Sequence, residues 1–156
     1  MPDLAESVRI DAPADLVYSM VSDLGRMGEW SPECTGVTWR GGRGRGGRGR
    51  GVGGRFVGHN RDGWKRWSTY GRIVRAVPSR VFAFDISLGP VRSATWAYVI
   101  ETADDGCTVT EEWTDHRPAV IRAVTDLAFG ARRRINRDSI LTTLANVRAA
   151  AEARTG

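Results

Sequence analysis

The 156-residue sequence predicts an α+β fold in which a curved antiparallel sheet of about seven strands is wrapped on a long C-terminal helix, with two short helices after the first strand. Three observations predict it. The hydrophobic period changes from 2 to 3.6, returns to 2 over residues 34–115, and becomes 3.6 again after Pro118. The middle region breaks into six strand-like runs joined by short turn segments, the pattern of consecutive antiparallel neighbours. The last segment is the only element large enough to cover one face of so long a sheet.

Taken in order, "LAESVRIDAP" alternates loosely through Leu4, Glu6, Val8 and Ile10 and stops at Pro13, which makes it a strand. "APADLVYSMVSDLGRMGEW" then places Leu16, Val17, Met20, Val21 and Leu24 at helical spacing. Pro13 suits the first turn and Gly25 a break, and a short second helix reaches Trp30. "GVTWR", "RFVGHN", "WKRWSTYGRIVRAV", "RVFAFDIS", "SATWAYVIE" and "CTVTEEWTD" follow as strands. Turn chemistry separates most of them: "RDG", "VPSR", "LGP" and "ADDG". Finally Ile121, Val124, Ala128, Ala131 and Ile135, then Leu141, Leu144 and Val147, mark one long amphipathic helix, bent near Gly130.

Side chains alternate across a pleated strand, so the positions of charges fix which residues face inward. Asp85 turns Phe82, Phe84 and Ile86 inside, and Glu101 does the same for Trp96, Tyr98 and Ile100. Arg55 and His59 leave Phe56, Gly58 and Asn60 within, while Val37 and Trp39 oppose Arg40. Trp67 shares its face with Thr69, Gly71 and Ile73. In "CTVTEEWTD", inward Val109 and Trp113 carry Glu111 inward between them. A buried carboxyl is costly unless it is paired, hydrogen-bonded or protonated. Glu111 is therefore either a polar anchor or acid in an apolar pocket, or a structural carboxylate satisfied by a neighbour.

Composition narrows the class. Hydrophobic residues make up 41% and charged residues 26%, a globular balance. The tract "GGRGRGGRGRGVGG" at 41–54 supplies four cations of a formal net charge of +5, so no distributed nucleic-acid face is expected. No run suits a membrane span, no signal peptide opens the chain, and Cys34 and Cys107 are isolated, so no metal site or disulfide framework is implied. His59 and His116 lack triad partners, and no P-loop or dinucleotide fingerprint appears. The expectation from these features is a soluble cytoplasmic protein without a cofactor, as a monomer or weak homodimer.

The strings "SVRIDAPADLVYSMVSDLGRMGEWSPEC", "GRFVGHNRDGWKRWSTYGRIV", "RVFAFDIS", "TWAYVIE" and "GCTVTEEWTD" resemble the SRPBCC superfamily, the START-like or helix-grip proteins. They are most similar to its bacterial polyketide cyclase/dehydrase and lipid-transport branch. The resemblance spans nearly the whole chain and implies a hydrophobic cavity between the sheet and the C-terminal helix. Related aromatase/cyclases orient a poly-β-ketone with an inward arginine on a central strand, whereas Arg72 here has the opposite parity.

The preferred expectation is a single START-like domain, residues 1–156, that binds a lipid, polyketide or aromatic metabolite. Its expected lining is Trp30, Trp39, Phe56, Asn60, Trp67, Phe82, Phe84, Trp96, Tyr98, Glu111 and Trp113, with Ala128, Arg132 and Ile135 from the helix. The alternative is a cyclase or dehydratase using Glu111 as general acid/base, with Asn60 or Tyr98 holding an enolate. In either case residues 41–54 are a flexible loop between the second and third strands, because the tract lacks the interleaved aromatics of a stacking RNA binder.

Overall fold

The structure is a computed structural model that describes residues 1–41 and 51–156. Strand β1 (Leu4–Ile10) leads into helix α1 (Ala14–Ser22) and a short 3-10 helix over Leu24–Glu29. Six strands follow: β2 (Cys34–Arg40), β3 (Arg55–Asp62), β4 (Lys65–Val77), β5 (Val81–Leu88), β6 (Val91–Ala103) and β7 (Gly106–Asp115). They form one seven-stranded sheet in the order β1-β7-β6-β5-β4-β3-β2, with every pair antiparallel. Each strand from β2 to β6 thus pairs with the next, and β1 closes the order against β7.

Two expectations are corrected: Leu141, read as part of the apolar face of the C-terminal helix, is 45% exposed, while Ile140, about 100° away around the helix, is the buried residue, and the segment itself is broken. The C-terminal segment is two helices, α2 (Ala119–Phe129) and α3 (Arg132–Glu152), rather than one bent helix. Gly130 between them has φ 83 and ψ 166, a conformation far from helical that a side chain would strain. Periodicity alone missed the break because the apolar spacing runs on through it.

The core lies on the concave face. Ile10, Val17, Met20, Val21, Leu24, Ile73, Phe82 and Val109 are buried there beneath Ile140, Leu144 and Val147 of α3. The α1 side chain Tyr18 meets Phe82 edge-on at 6.4 Å, so α1 caps one end of the sheet's inner face. Burial in β7 alternates strictly, with Cys107, Val109, Glu111 and Trp113 inside. Such alternation obliges Glu111 to face the core, because any outward turn would reverse Val109 and Trp113 as well.

On β4, Arg72 is exposed between buried Gly71 and Ile73, as its parity requires. The register shift in the β4–β5 ladder falls beyond it, between Ile73 and Arg75, and does not bring the guanidinium inside. The loop expectation for 41–54 falls largely on residues 42–50, which lie outside the described residues. On the described side, Gly53 N–H donates to the Ile73 carbonyl at 2.8 Å and Ile73 N–H to Gly54 at 2.9 Å, which extends the pairing to the start of β3.

Candidate functional site

A cavity of about 330 Å³ lies between the concave sheet and α3. Its walls are Phe56 and Gly58 of β3, Trp67 of β4, Phe84 and Ile86 of β5, Ala94, Trp96 and Tyr98 of β6, and Trp113 of β7. These are alternate positions on successive strands, so the cavity is a direct product of the sheet's pleat. The Phe56 and Phe84 rings meet at 5.7 Å, and Trp96 and Trp113 at 6.5 Å, which keeps the wall aromatic and closely packed.

Small residues make the room. A Cβ on Gly71 would stand 2.0 Å from the Phe56 ring, so only glycine on β4 lets that ring lie flat on the sheet. A Cβ on Gly58 would meet the Thr69 hydroxyl at 2.9 Å.

At the deep end Tyr98 and Glu111 face each other across the β6–β7 ladder. The Tyr98 hydroxyl donates to Glu111 Oε1 at 2.9 Å and lies 3.8 Å from Met27 Sδ. Burial drives the Glu111 carboxyl up to about 8, with the Tyr98 hydrogen bond pulling slightly the other way. At pH 7 the group is therefore mainly the neutral acid. Oε1 already accepts from Tyr98, so the proton belongs on Oε2, which has no partner among the described residues. Burial, followed by the Glu111 charge, also raises the Tyr98 phenol well above its ordinary value. The pair is a donor–acceptor unit at the base of a cavity whose sheet wall is largely aromatic.

A second polar group sits higher. Arg132, at the start of α3, donates from both terminal nitrogens to the two Glu33 oxygens at 3.0 and 3.1 Å. Its guanidinium also lies 5.9 Å from the Trp67 ring centre. With 22% and 17% of their side chains exposed, Arg132 and Glu33 form a mostly buried rim, in contrast to Glu111 at 3%. The pair ties α3 to the segment entering β2.

Arg117 forms the third polar feature. It holds Asp115 through two bonds at 2.9 and 2.8 Å and reaches Thr125 and Asp126 of α2 at 2.6 and 3.2 Å. Burial by itself would raise Asp115, but the Arg117 hydrogen bonds and charge outweigh it and hold the carboxyl low. Through Arg117 the end of β7 anchors α2 beside the cavity.

Of the residues expected from the sequence, the fold brings Phe56, Asn60, Trp67, Phe84, Trp96, Tyr98, Glu111, Trp113 and Arg132 around one cavity. Five lie elsewhere. Trp30 and Phe82 are buried in the core, the latter under Tyr18. Trp39 backs Phe56, with ring centres 5.7 Å apart. Ala128 is exposed on α2, and Ile135 packs beside Gly130, because the break there rotates both away from where a continuous helix would put them. On α3, Arg132 is joined at the cavity by Asn136, Ser139 and Thr143. Their spacing was legible as a polar stripe on a helix obliged to pack against a sheet, but apolar periodicity does not find polar stripes. Asn136 is 2% exposed, and its Oδ1 has no partner among the described residues.

A curved sheet gripping a C-terminal helix around an aromatic cavity defines a helix-grip protein. The chain belongs to the polyketide cyclase/dehydrase and lipid transport family, which it matches over residues 1–152. A polyketide-cyclase-like protein of Corynebacterium glutamicum is 28% identical, with a TM-score of 0.63 over 97% of this chain and 92% of that one. The Zhui aromatase/cyclase of Streptomyces sp. R1128 is 18% identical, with a TM-score of 0.68 over 98% and 94%. The di-domain ARO/CYC StfQ of the steffimycin biosynthetic pathway superposes with a TM-score of 0.76 at 14% identity over 98% of this chain, which spans 51% of StfQ. The latter two likenesses show the shared fold. No curated protein matches the sequence.

Proposed function

We propose that the protein binds a small hydrophobic or amphiphilic molecule, a lipid, polyketide or aromatic metabolite, in the cavity between the sheet and α3. One observation carries this reading: an aromatic cavity of about 330 Å³ ends on the hydrogen-bonded Glu111–Tyr98 pair, whose Glu111 Oε2 has no partner among the described residues. Pockets that hold small molecules combine apolar walls with a few convergent polar groups. The aromatic wall supplies the contact area, Glu111 and Asn136 offer polar contacts inside, and Arg132–Glu33 fixes the rim. Native mass spectrometry of the purified protein, followed by extraction, tests it. A stoichiometric apolar or amphiphilic molecule supports the reading. Mass that always equals the bare chain, together with no uptake from an offered panel of fatty acids and polycyclic aromatics, contradicts it.

A second reading rests on the raised Glu111 acid. In a cyclase or dehydratase of polyketide-like substrates, Glu111 would pass a proton at neutral pH while Tyr98 or Asn60 held an enolate oxygen. Glu111→Gln preserves the shape and the Tyr98 hydrogen bond. The enzyme reading requires this variant to keep binding and lose turnover, whereas equal turnover in both proteins removes Glu111 from catalysis.

A further inference from the structure

The outer face of β2–β4 bears arginines where a stable sheet would avoid them. Arg40, Arg55 and Arg72 are direct partners across the two ladders, three like charges abreast, and Arg61 stands directly opposite Arg66. Like charges directly opposite each other destabilise a sheet. None of these five enters an ion pair among the described residues. The one carboxylate in the row, Asp85 on β5, is taken by Arg92 at 3.0 Å and Thr95 at 2.7 Å.

The charge is also segregated along the chain. Residues 34–41 and 51–84 hold eight basic residues against one acidic, while residues 1–33 and 85–156 hold eleven basic against seventeen acidic. The sequence placed the basic excess in the 41–54 tract, and the fold adds a second concentration on one exposed sheet face. Tyr70 lies in the midst of it, 47% exposed, with the Arg40 guanidinium 5.5 Å from its ring centre. From Arg66 to Arg72, β4 spans roughly 20 Å of this face.

We propose that this face binds single-stranded nucleic acid, with phosphates along the Arg40–Arg55–Arg72 row and a base stacked on Tyr70. Guanidiniums suit phosphate geometry, and exposed aromatics between them supply sequence-tolerant stacking. The face is opposite the cavity and independent of what the cavity holds.

The test is fluorescence anisotropy of the full chain with a labelled twenty-nucleotide oligo-dT, a duplex of equal length, and phosphatidylcholine vesicles containing phosphatidylglycerol. Oligo-dT should bind with log-linear salt dependence. The R40Q/R55Q/R72Q variant should bind about tenfold or more weakly at ~100 mM salt, with a slope shallower by about 2. Tyr70→Ala should weaken binding about fivefold or more with the slope unchanged. R133Q/R134Q/R154Q, the same charge change on and beyond α3, should bind as the parent does. Equal losses in the two triple variants, duplex bound as tightly as oligo-dT with Tyr70→Ala silent, or vesicles bound in place of oligo-dT would each overturn the proposal. So would a lowered Tm in R40Q/R55Q/R72Q, which would give the row a structural role.

Discussion

Tyr98 and Glu111 are direct partners in the β6–β7 ladder, and their side chains close a 2.9 Å hydrogen bond at the deep end of the cavity. Both are almost wholly buried. The bond satisfies Oε1 and leaves Oε2, like Asn136 Oδ1, as a buried polar atom with no partner among the described residues. Charge at this site is expensive, so the pair is stable in its neutral form.

That cost has a sign. Glu111 has a folded value of about 8, above its ordinary value of 4.5. Between these values the folded chain holds a proton that the unfolded chain has lost. The stabilising contribution is complete below pH ~4.5 and is lost as the pH rises through about 8, at up to about 1.4 kcal/mol per pH unit. Glu111→Gln should flatten this component and raise Tm relative to the parent at pH 8. Denaturant titrations of both proteins from pH 5 to pH 9 check it; parallel curves would contradict the neutral-acid assignment.

Tyr98→Phe removes the donor and keeps the ring. Glu111 then has neither oxygen bonded, which should cost about 1–3 kcal/mol. Its titration should also move further up, because the Tyr98 bond is the influence that lowers it. Chemical denaturation and carboxyl titration by NMR report the two effects separately.

Gly71→Ala probes the cavity from the sheet side. The added Cβ would stand within 2.0–2.5 Å of three Phe56 ring atoms, so the ring must swing toward the cavity. A loss of about 1–3 kcal/mol is expected, as for other overpacked cores. Binding of bulky aromatic probes should weaken more than binding of slim aliphatic ones. An unfolding midpoint unchanged from the parent would show that Phe56 relaxes freely.

Arg132→Ala opens the rim. The pair with Glu33 is mostly buried, so removing Arg132 leaves the carboxylate unpaired and should cost about 1–3 kcal/mol of stability. The substitution also acts on the ligand: dissociation should be several-fold faster, as measured by stopped-flow displacement, because α3 loses its tie to the segment before β2.

The sequence made the sheet legible because each strand carries its own parity marker. Asp85, Glu101 and Arg55 each declare an outer face, and Glu111 declares itself by standing between Val109 and Trp113. The helix side was less legible. Leu144 and Val147 are buried as their spacing indicates, but Leu141 is exposed and Ile140 beside it is buried in its place, and the cavity meets the adjacent polar positions Asn136, Ser139 and Thr143, whose burial depends on the curvature of the sheet. Ala128 and Ile135 were misplaced by one backbone event, the non-helical Gly130. Phe82 had the right parity and is covered by Tyr18, a tertiary contact that no local pattern encodes. The arginine row on β2–β4 required the strand register, since Arg40, Arg55 and Arg72 are far apart in sequence.

The central claim is that the cavity between sheet and α3 is the binding site. The most direct measurement is a titration of 1-anilinonaphthalene-8-sulfonate into the parent and Ser139→Trp, a substitution that fills the cavity from α3. Binding in the cavity predicts one saturable, strongly fluorescent site in the parent and its loss in a variant with an unchanged circular dichroism spectrum. Equal binding by the two folded proteins would place the ligand elsewhere and contradict it.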